Sequence, residues 1–179
     1  TLGAYLTWVF NKNGTNIWVA MILGALGTVG GMLLTEQLLW KPMRDRRASS
    51  TTLIIISIGL ALFIRNGILL VWGGSNQRFD LPLAEALEIG GIKIAYYRII
   101  VIILAVLAVA ALHFIFQFSK IGKAMRAVAD NIDLARVSGI NVERVTIATW
   151  IITGILTASG GAMYGLIANI RPNMGWILI

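Results

Sequence analysis

The sequence predicts an all-α, polytopic membrane protein with about four full spans. Apolar residues make up 58% of its 179 positions and charged residues 13%, where a soluble domain usually has about 25% charged residues. The mean hydropathy is +0.81. Four separate apolar runs match the roughly 20 residues that a helix needs to cross a hydrocarbon core. The net charge is +7, but its charges lie in the gaps between these runs. They form no single basic patch, so nucleic acid is not an expected partner.

Taken in order, residues 2–10 read as the tail of an earlier span. The four runs are 17–34, 53–72, 99–118 and 145–168, with 18, 20, 20 and 24 residues. Soluble helices are rarely this apolar all round. An outer loop, 73–98, follows the second run, and a polar loop, 119–144, follows the third. The chain opens at Thr1 and closes at Ile179 inside a renewed apolar run, Trp176-Ile177-Leu178-Ile179. It therefore reads as the middle of a longer protein, a single transmembrane domain over 1–179.

Lysine and arginine set the expected orientation. The gap after the first run holds Lys41, Arg44, Arg46 and Arg47, and loop 119–144 holds Lys120, Lys123, Arg126, Arg136 and Arg144. The opposite side has Lys12, Arg78, Lys93, Arg98 and Arg171. The denser set is expected in the cytoplasm. Trp18, Trp72, Tyr96 and Tyr97 then fall at outer ends, and Trp40 and Trp150 near inner ends, where aromatic rings favour the lipid–water interface.

Glycine marks close helix packing. Gly27 and Gly31 form one GxxxG and Gly161 and Gly165 another, beside Gly24, Gly30, Gly154 and Gly160. Small residues four apart let helix backbones approach in lipid. Arg65-Asn66 is a charged intrusion in the second run. It reads either as polar lining of a translocation path or as an arginine that snorkels outward beside Trp72. His113 has no visible ligand set and reads as a packing residue. In the outer loop, Ile89-Gly90-Gly91-Ile92-Lys93-Ile94 reads as a small hairpin, capping the helix ends or docking an outer partner.

No enzyme constellation is present. There is no cysteine, no phosphate loop ending in Lys-Ser or Lys-Thr, no HExxH and no nucleophile elbow. All eight carboxylates, Glu36 and Glu143 among them, are expected to flank the spans. That pattern argues against a proton-coupled pump, which places acids inside the membrane.

Loop 119–144 carries the strongest signal. Met125, Val128, Ile132 and Ala135 recur at helical spacing, with Arg126, Asp130, Asn131, Asp133 and Arg136 on other faces. One amphipathic helix around Met125 to Ser138 is expected, either as a handle for a partner protein or lying in the lipid headgroups. Gly139 suits its end, because glycine accepts a left-handed backbone. Asn141 suits the cap of the next helix, with Glu143 near that helix's N-terminal dipole.

These residues carry a resemblance. Asp133-Leu134-Ala135, three further residues and Gly139-Ile140 resemble the coupling signature of ABC-importer membrane subunits. Asp133 stands for its glutamate and Leu134 for its first alanine. Ser119-Lys120-Ile121-Gly122-Lys123-Ala124 through Gly139-Ile140-Asn141 resembles the cytoplasmic loop of the high-affinity branched-chain amino acid permeases of the Liv type, the first permease of the pair. Leu2-Gly3-Ala4-Tyr5, Trp40-Lys41-Pro42-Met43-Arg44 and Ile56-Ser57-Ile58-Gly59-Leu60 resemble other parts of that family. Arg65 departs from it, standing where an uncharged polar residue is expected.

The resemblance implies a permease subunit of an ATP-driven importer for branched-chain or other neutral amino acids, in a bacterial inner membrane. It implies a second related permease, two cytoplasmic ATPase subunits and an extracytoplasmic substrate-binding protein, besides membrane lipid. The chain itself would bind no cofactor and hydrolyse nothing, and ATP would be used by its partners. Asp133, Leu134, Ala135, Gly139 and Ile140 would couple to the ATPase. An importer of urea or short amides, a self-contained secondary transporter or channel, and a structural scaffold are the alternatives.

Overall fold

The computed structural model describes the backbone of residues 1–80, 86–89 and 92–177, with the side chains of 1–80 and 95–175. Four of its helices are long and apolar enough to cross a membrane. In chain order the helices are α1 (Leu2–Lys12), α2 (Ile17–Thr35), a π-helical turn (Glu36–Trp40), α3 (Lys41–Asp45), α4 (Ser50–Trp72), α5 (Tyr96–Phe118), α6 (Lys120–Asp130), α7 (Ile132–Val137), α8 (Val142–Ile167) and α9 (Met174–Ile177). A hairpin of β1 (Ala86–Ile89) and β2 (Ile92–Ala95) precedes α5.

Polar side chains start most of these helices by accepting an unsatisfied first-turn N–H. Asn16 accepts from Trp18, Ser49 from Thr52, Ser119 from Gly122 and Asn141 from Arg144, at 2.9–3.3 Å. Gly73 follows α4 with φ +77°, a conformation open to glycine. The hairpin pairs antiparallel from Ala86 with Ala95 to Ile89 with Ile92. Its expected Gly-Gly turn at 90–91 lies outside the described residues, as do 81–85.

Helices α1, α2 and α8 form the packed centre. A Cβ added at Gly3 would lie 2.6 Å from Ala158 Cα, one at Gly24 2.9 Å from Thr7 N, and one at Gly154 2.8 Å from Val29 Cγ2. Each of these glycines therefore lets a neighbouring helix approach. Thr7 and Thr28 are buried, and their hydroxyls donate to Gly3 and Gly24 carbonyls of their own helices at 2.9 and 2.7 Å. Tyr5, Trp8, Ile68, Phe79, Ile170 and Met174 close the core toward one end. Helices α4 and α5 bury only 6% and 0% of their apolar windows. Their outward Phe63, Leu70 and Val109 face where lipid or a partner belongs.

The first span differs from its expected end at residue 34. The helix runs without a break to Asp45, because Leu38, Leu39 and Trp40 extend the apolar run past Glu36. The π turn absorbs one extra residue and loosens the backbone just before Pro42, whose ring has no N–H to give to the preceding turn. Glu36 lies within this continuous helix. It is 5% exposed, and both its carboxylate oxygens accept from the Arg44 guanidinium. Burial of this charge is tolerable because it is paired twice.

Candidate functional site

The amphipathic helix expected around Met125 to Ser138 is two helices. Asn131 breaks it with φ −157° and ψ 109°, because its side chain serves a new helix. Its Oδ1 accepts from Asp133 N and Leu134 N, both at 3.0 Å. Asparagine gives more at a helix start than inside a helix. Asp133 lies in the first turn of α7 and Arg136 in the last, both favourable to its dipole.

The C-terminus of α7 is closed with equal economy. Gly139 has φ +82°. Its N–H donates to Arg136 O, and Ile140 N donates to Ala135 O, each at 3.0 Å. This pair of bonds is the Schellman closure. Two residues later Asn141 caps α8. The path from α7 to α8 is thus short and is tied by hydrogen bonds at both of its ends.

The apolar face differs from the expected stripe. Met125 and Ala135 are 8% and 3% exposed and turn inward. The residues turned outward are Ile132 at 42%, Leu134 at 62% and Val137 at 82% exposed. Leu134 and Val137 stand three apart and share one side of α7. The break at Asn131 rotates α7 relative to α6, which the four-residue spacing cannot foresee.

Beside α7 lies a cleft of about 1000 Å³ between the extension of α2 and the start of α8. Glu36, Lys41, Arg44, Ile132, Arg136 and Glu143 line it. Lys41 Nζ donates to Glu143 Oε1 at 2.5 Å across it. Trp40 and Trp150 stack with centroids 6.3 Å apart. The first basic gap is therefore joined to the foot of α8. Sequence spacing could not reveal these contacts, because Lys41 and Glu143 are 102 residues apart.

The remaining residues singled out by sequence are dispersed. A Cβ at Gly165 would lie 2.6 Å from Phe79 and one at Gly27 2.9 Å from the end of Leu6, while Gly31 and Gly161 leave ordinary contact distances of 3.6 Å. Close helix approaches also run through Gly3, Gly24 and Gly154, and a closer one through Gly122, where a Cβ would run into Ile115 O of α5. Arg65 Nε donates to Asn173 Oδ1 at 2.6 Å, and Asn66 donates to Leu62 O of its own helix. His113 lies edge-on to Phe118 at 6.5 Å. No cluster of metal-ligating side chains occurs among the described residues.

The family described as branched-chain amino acid transport system / permease component matches residues 1–179. The chain is 25% identical over 171 residues to the high-affinity branched-chain amino acid transport system permease protein LivH of Salmonella typhimurium, covering 87% of this chain and 54% of that protein. It is 23% identical over 148 residues to the corresponding BraD of Pseudomonas aeruginosa, covering 79% and 48%. It is 28% identical over 105 residues to the galactose/methyl galactoside import permease protein MglC of Haemophilus influenzae, covering 58% and 30%. The chain spans about half the length of the branched-chain relatives it matches. No solved structure matches it.

Proposed function

The chain belongs to the branched-chain amino acid transport system permease family, and from that premise we infer that it is one pathway-forming subunit of an ATP-driven importer of neutral amino acids. It is a multi-pass membrane protein, and the inner membrane is the compartment proposed. Its partners are a second related permease, two cytoplasmic ATPases and an outer binding protein. ATP is consumed by the ATPases, and this chain converts their closure into helix movement.

The outward apolar face of α7, joined to α8 by a closed turn, carries this reading. Leu134 and Val137 present an anchor pair for a groove on the ATPase. Ala135 and Gly139-Ile140 hold the turn, and Asp133 stabilises its first helix. A push on α7 is passed to α8, because the connection is short and tied at both ends. Closure then biases inward-open against outward-open states, a coupling between two sites through one two-state element. Gly27, Gly31, Gly161 and Gly165 serve helix packing, and Arg65 with Asn66 lines the path.

Leu134→Asp with Val137→Asp tests the role of α7. The double variant is expected to reach the membrane at the wild-type level, lose copurification of the ATPase and lose ATP-dependent uptake. Retained ATPase in that variant would remove α7 as the docking element.

A further inference from the structure

The segment after α8 turns back along the helices it has just left. Its outer reference is secure: Gln77 and Ile170 exchange two backbone hydrogen bonds, at 2.9 and 3.0 Å, and Arg78 donates to Asn169 at 2.6 Å. Residues 168–173 are not helical, yet they descend from that level. Asn173 meets Arg65, seven residues before the end of α4 at Trp72, or about 10 Å of helix rise. Met174 reaches the Gly161 position, six residues before the end of α8 at Ile167, or about 9 Å. Gly175 lies against Thr1, at the far end of α1 from Lys12, about 16 Å away. Three separate markers thus place 173–175 about 9–16 Å from the outer ends of α4, α8 and α1.

Irregular backbone at this depth persists only where protein buries it or where it lines a wet cavity. One side of the segment is buried, through Ile170, Pro172 and Met174. The other side exposes Arg171 and Asn173. Arg65 meets that open side. A guanidinium inside a span is unfavourable unless it finds compensation. Asn173 satisfies one N–H of the guanidinium but none of its charge. Among the described residues no carboxylate pairs with Arg65. With Nε held, the two terminal nitrogens form a fork that matches a carboxylate.

We propose that Arg65, oriented by Asn173, receives the carboxylate of the transported solute on its way through the membrane. The proposal rests on the permease reading and narrows its cargo to solutes that carry a carboxylate. Urea and simple amides lack that group. It also gives a purpose to the residue at which this chain departs from the Liv-type pattern.

The test uses the full-length permease complex with its ATPases, without binding protein, in nanodiscs of neutral lipid. Retention of labelled leucine is titrated with leucine, with isovalerate, which lacks the ammonium, and with leucinamide, which lacks the carboxylate. Leucine and isovalerate are expected to displace the label, and leucinamide to do so about tenfold less well or worse. Arg65→Gln is expected to weaken retention by about tenfold or more, with Arg65→Lys between, since lysine keeps the charge and loses the fork. Asn173→Ala is expected to weaken it less than Arg65→Gln. Equal copurification of the ATPase shows that each variant is assembled. Leucine retention unchanged in Arg65→Gln, displacement by leucinamide equal to that by isovalerate, or no retention by the wild type would each overturn the proposal. So would loss of anionic-lipid binding, with leucine binding intact, when Arg65→Gln is compared with the wild type in a second set of nanodiscs that contain anionic lipid. ATP-dependent leucine uptake persisting beside any of these leaves the permease reading standing, whereas its absence in the wild type removes that reading itself.

Discussion

Gly139 offers a perturbation whose size can be worked out. Its φ is +82°, and a Cβ added there would meet nothing within 4 Å. Gly139→Ala therefore adds no clash inside the chain, and its whole penalty is the left-handed backbone, about 1–2 kcal/mol. That is a factor of about 5–30 against the closed turn. The two bonds that close it, Gly139 N to Arg136 O and Ile140 N to Ala135 O, open together. Asparagine tolerates the left-handed region better than alanine, so Gly139→Asn should lie nearer the wild type despite its larger side chain. Gly139→Leu combines the backbone penalty with bulk at the proposed docking face and should uncouple transport without stopping membrane insertion. The assay is uptake per molecule of ATP hydrolysed, in vesicles that hold equal amounts of each variant. The order expected is glycine, asparagine, alanine, leucine. An order set by size alone, with asparagine worse than alanine, would refute the backbone argument. Normal uptake in Gly139→Leu would refute the coupling role of the turn.

Three further outcomes are expected. Gly24→Ala forces a Cβ to within 2.9 Å of the Thr7 backbone, whereas at Gly160 a Cβ meets nothing within 4 Å. Overpacking should lower stability by about 1–3 kcal/mol in the first case, read as a drop in detergent-solubilised melting temperature, with Gly160→Ala close to the wild type. Asn131→Ala removes the acceptor of two first-turn N–H groups of α7 and should lose about 0.5–2 kcal/mol, seen as faster amide exchange at Asp133 and Leu134 with α8 unaffected. The chain has no cysteine, so single introductions report orientation cleanly: an impermeant maleimide added outside should label Gln77→Cys and spare Arg46→Cys.

The spans were legible because hydrocarbon selects on composition alone. Runs 53–72 and 99–118 correspond to α4 and α5 within a few residues. The cap at Asn141 and the left-handed Gly139 were legible because both are local and depend on residue type. The break at Asn131 was not, since the apolar spacing of Met125, Val128, Ile132 and Ala135 continues smoothly through it. Only the competition between a helix interior and a cap decides there, and asparagine favours the cap. The burial of Glu36 was hidden for a similar reason. Its partner Arg44 is eight residues away, a distance set by the π turn, which regular helical spacing does not anticipate. The tight glycines were mixed with open ones, because GxxxG reports small size and not which face meets a neighbour. Arg65 stood out in sequence, but Asn173 lies 108 residues later, and only the inward return of the chain after α8 joins them.

The central claim is that this permease moves its cargo when a separate ATPase acts on it. The most direct measurement is uptake of labelled leucine by cells that carry the full-length importer, with the ATPase subunits active or disabled by substitution. The account predicts uptake that requires active ATPase and is competed by other neutral amino acids. Leucine uptake indifferent to the ATPase would contradict it and identify a self-contained transporter.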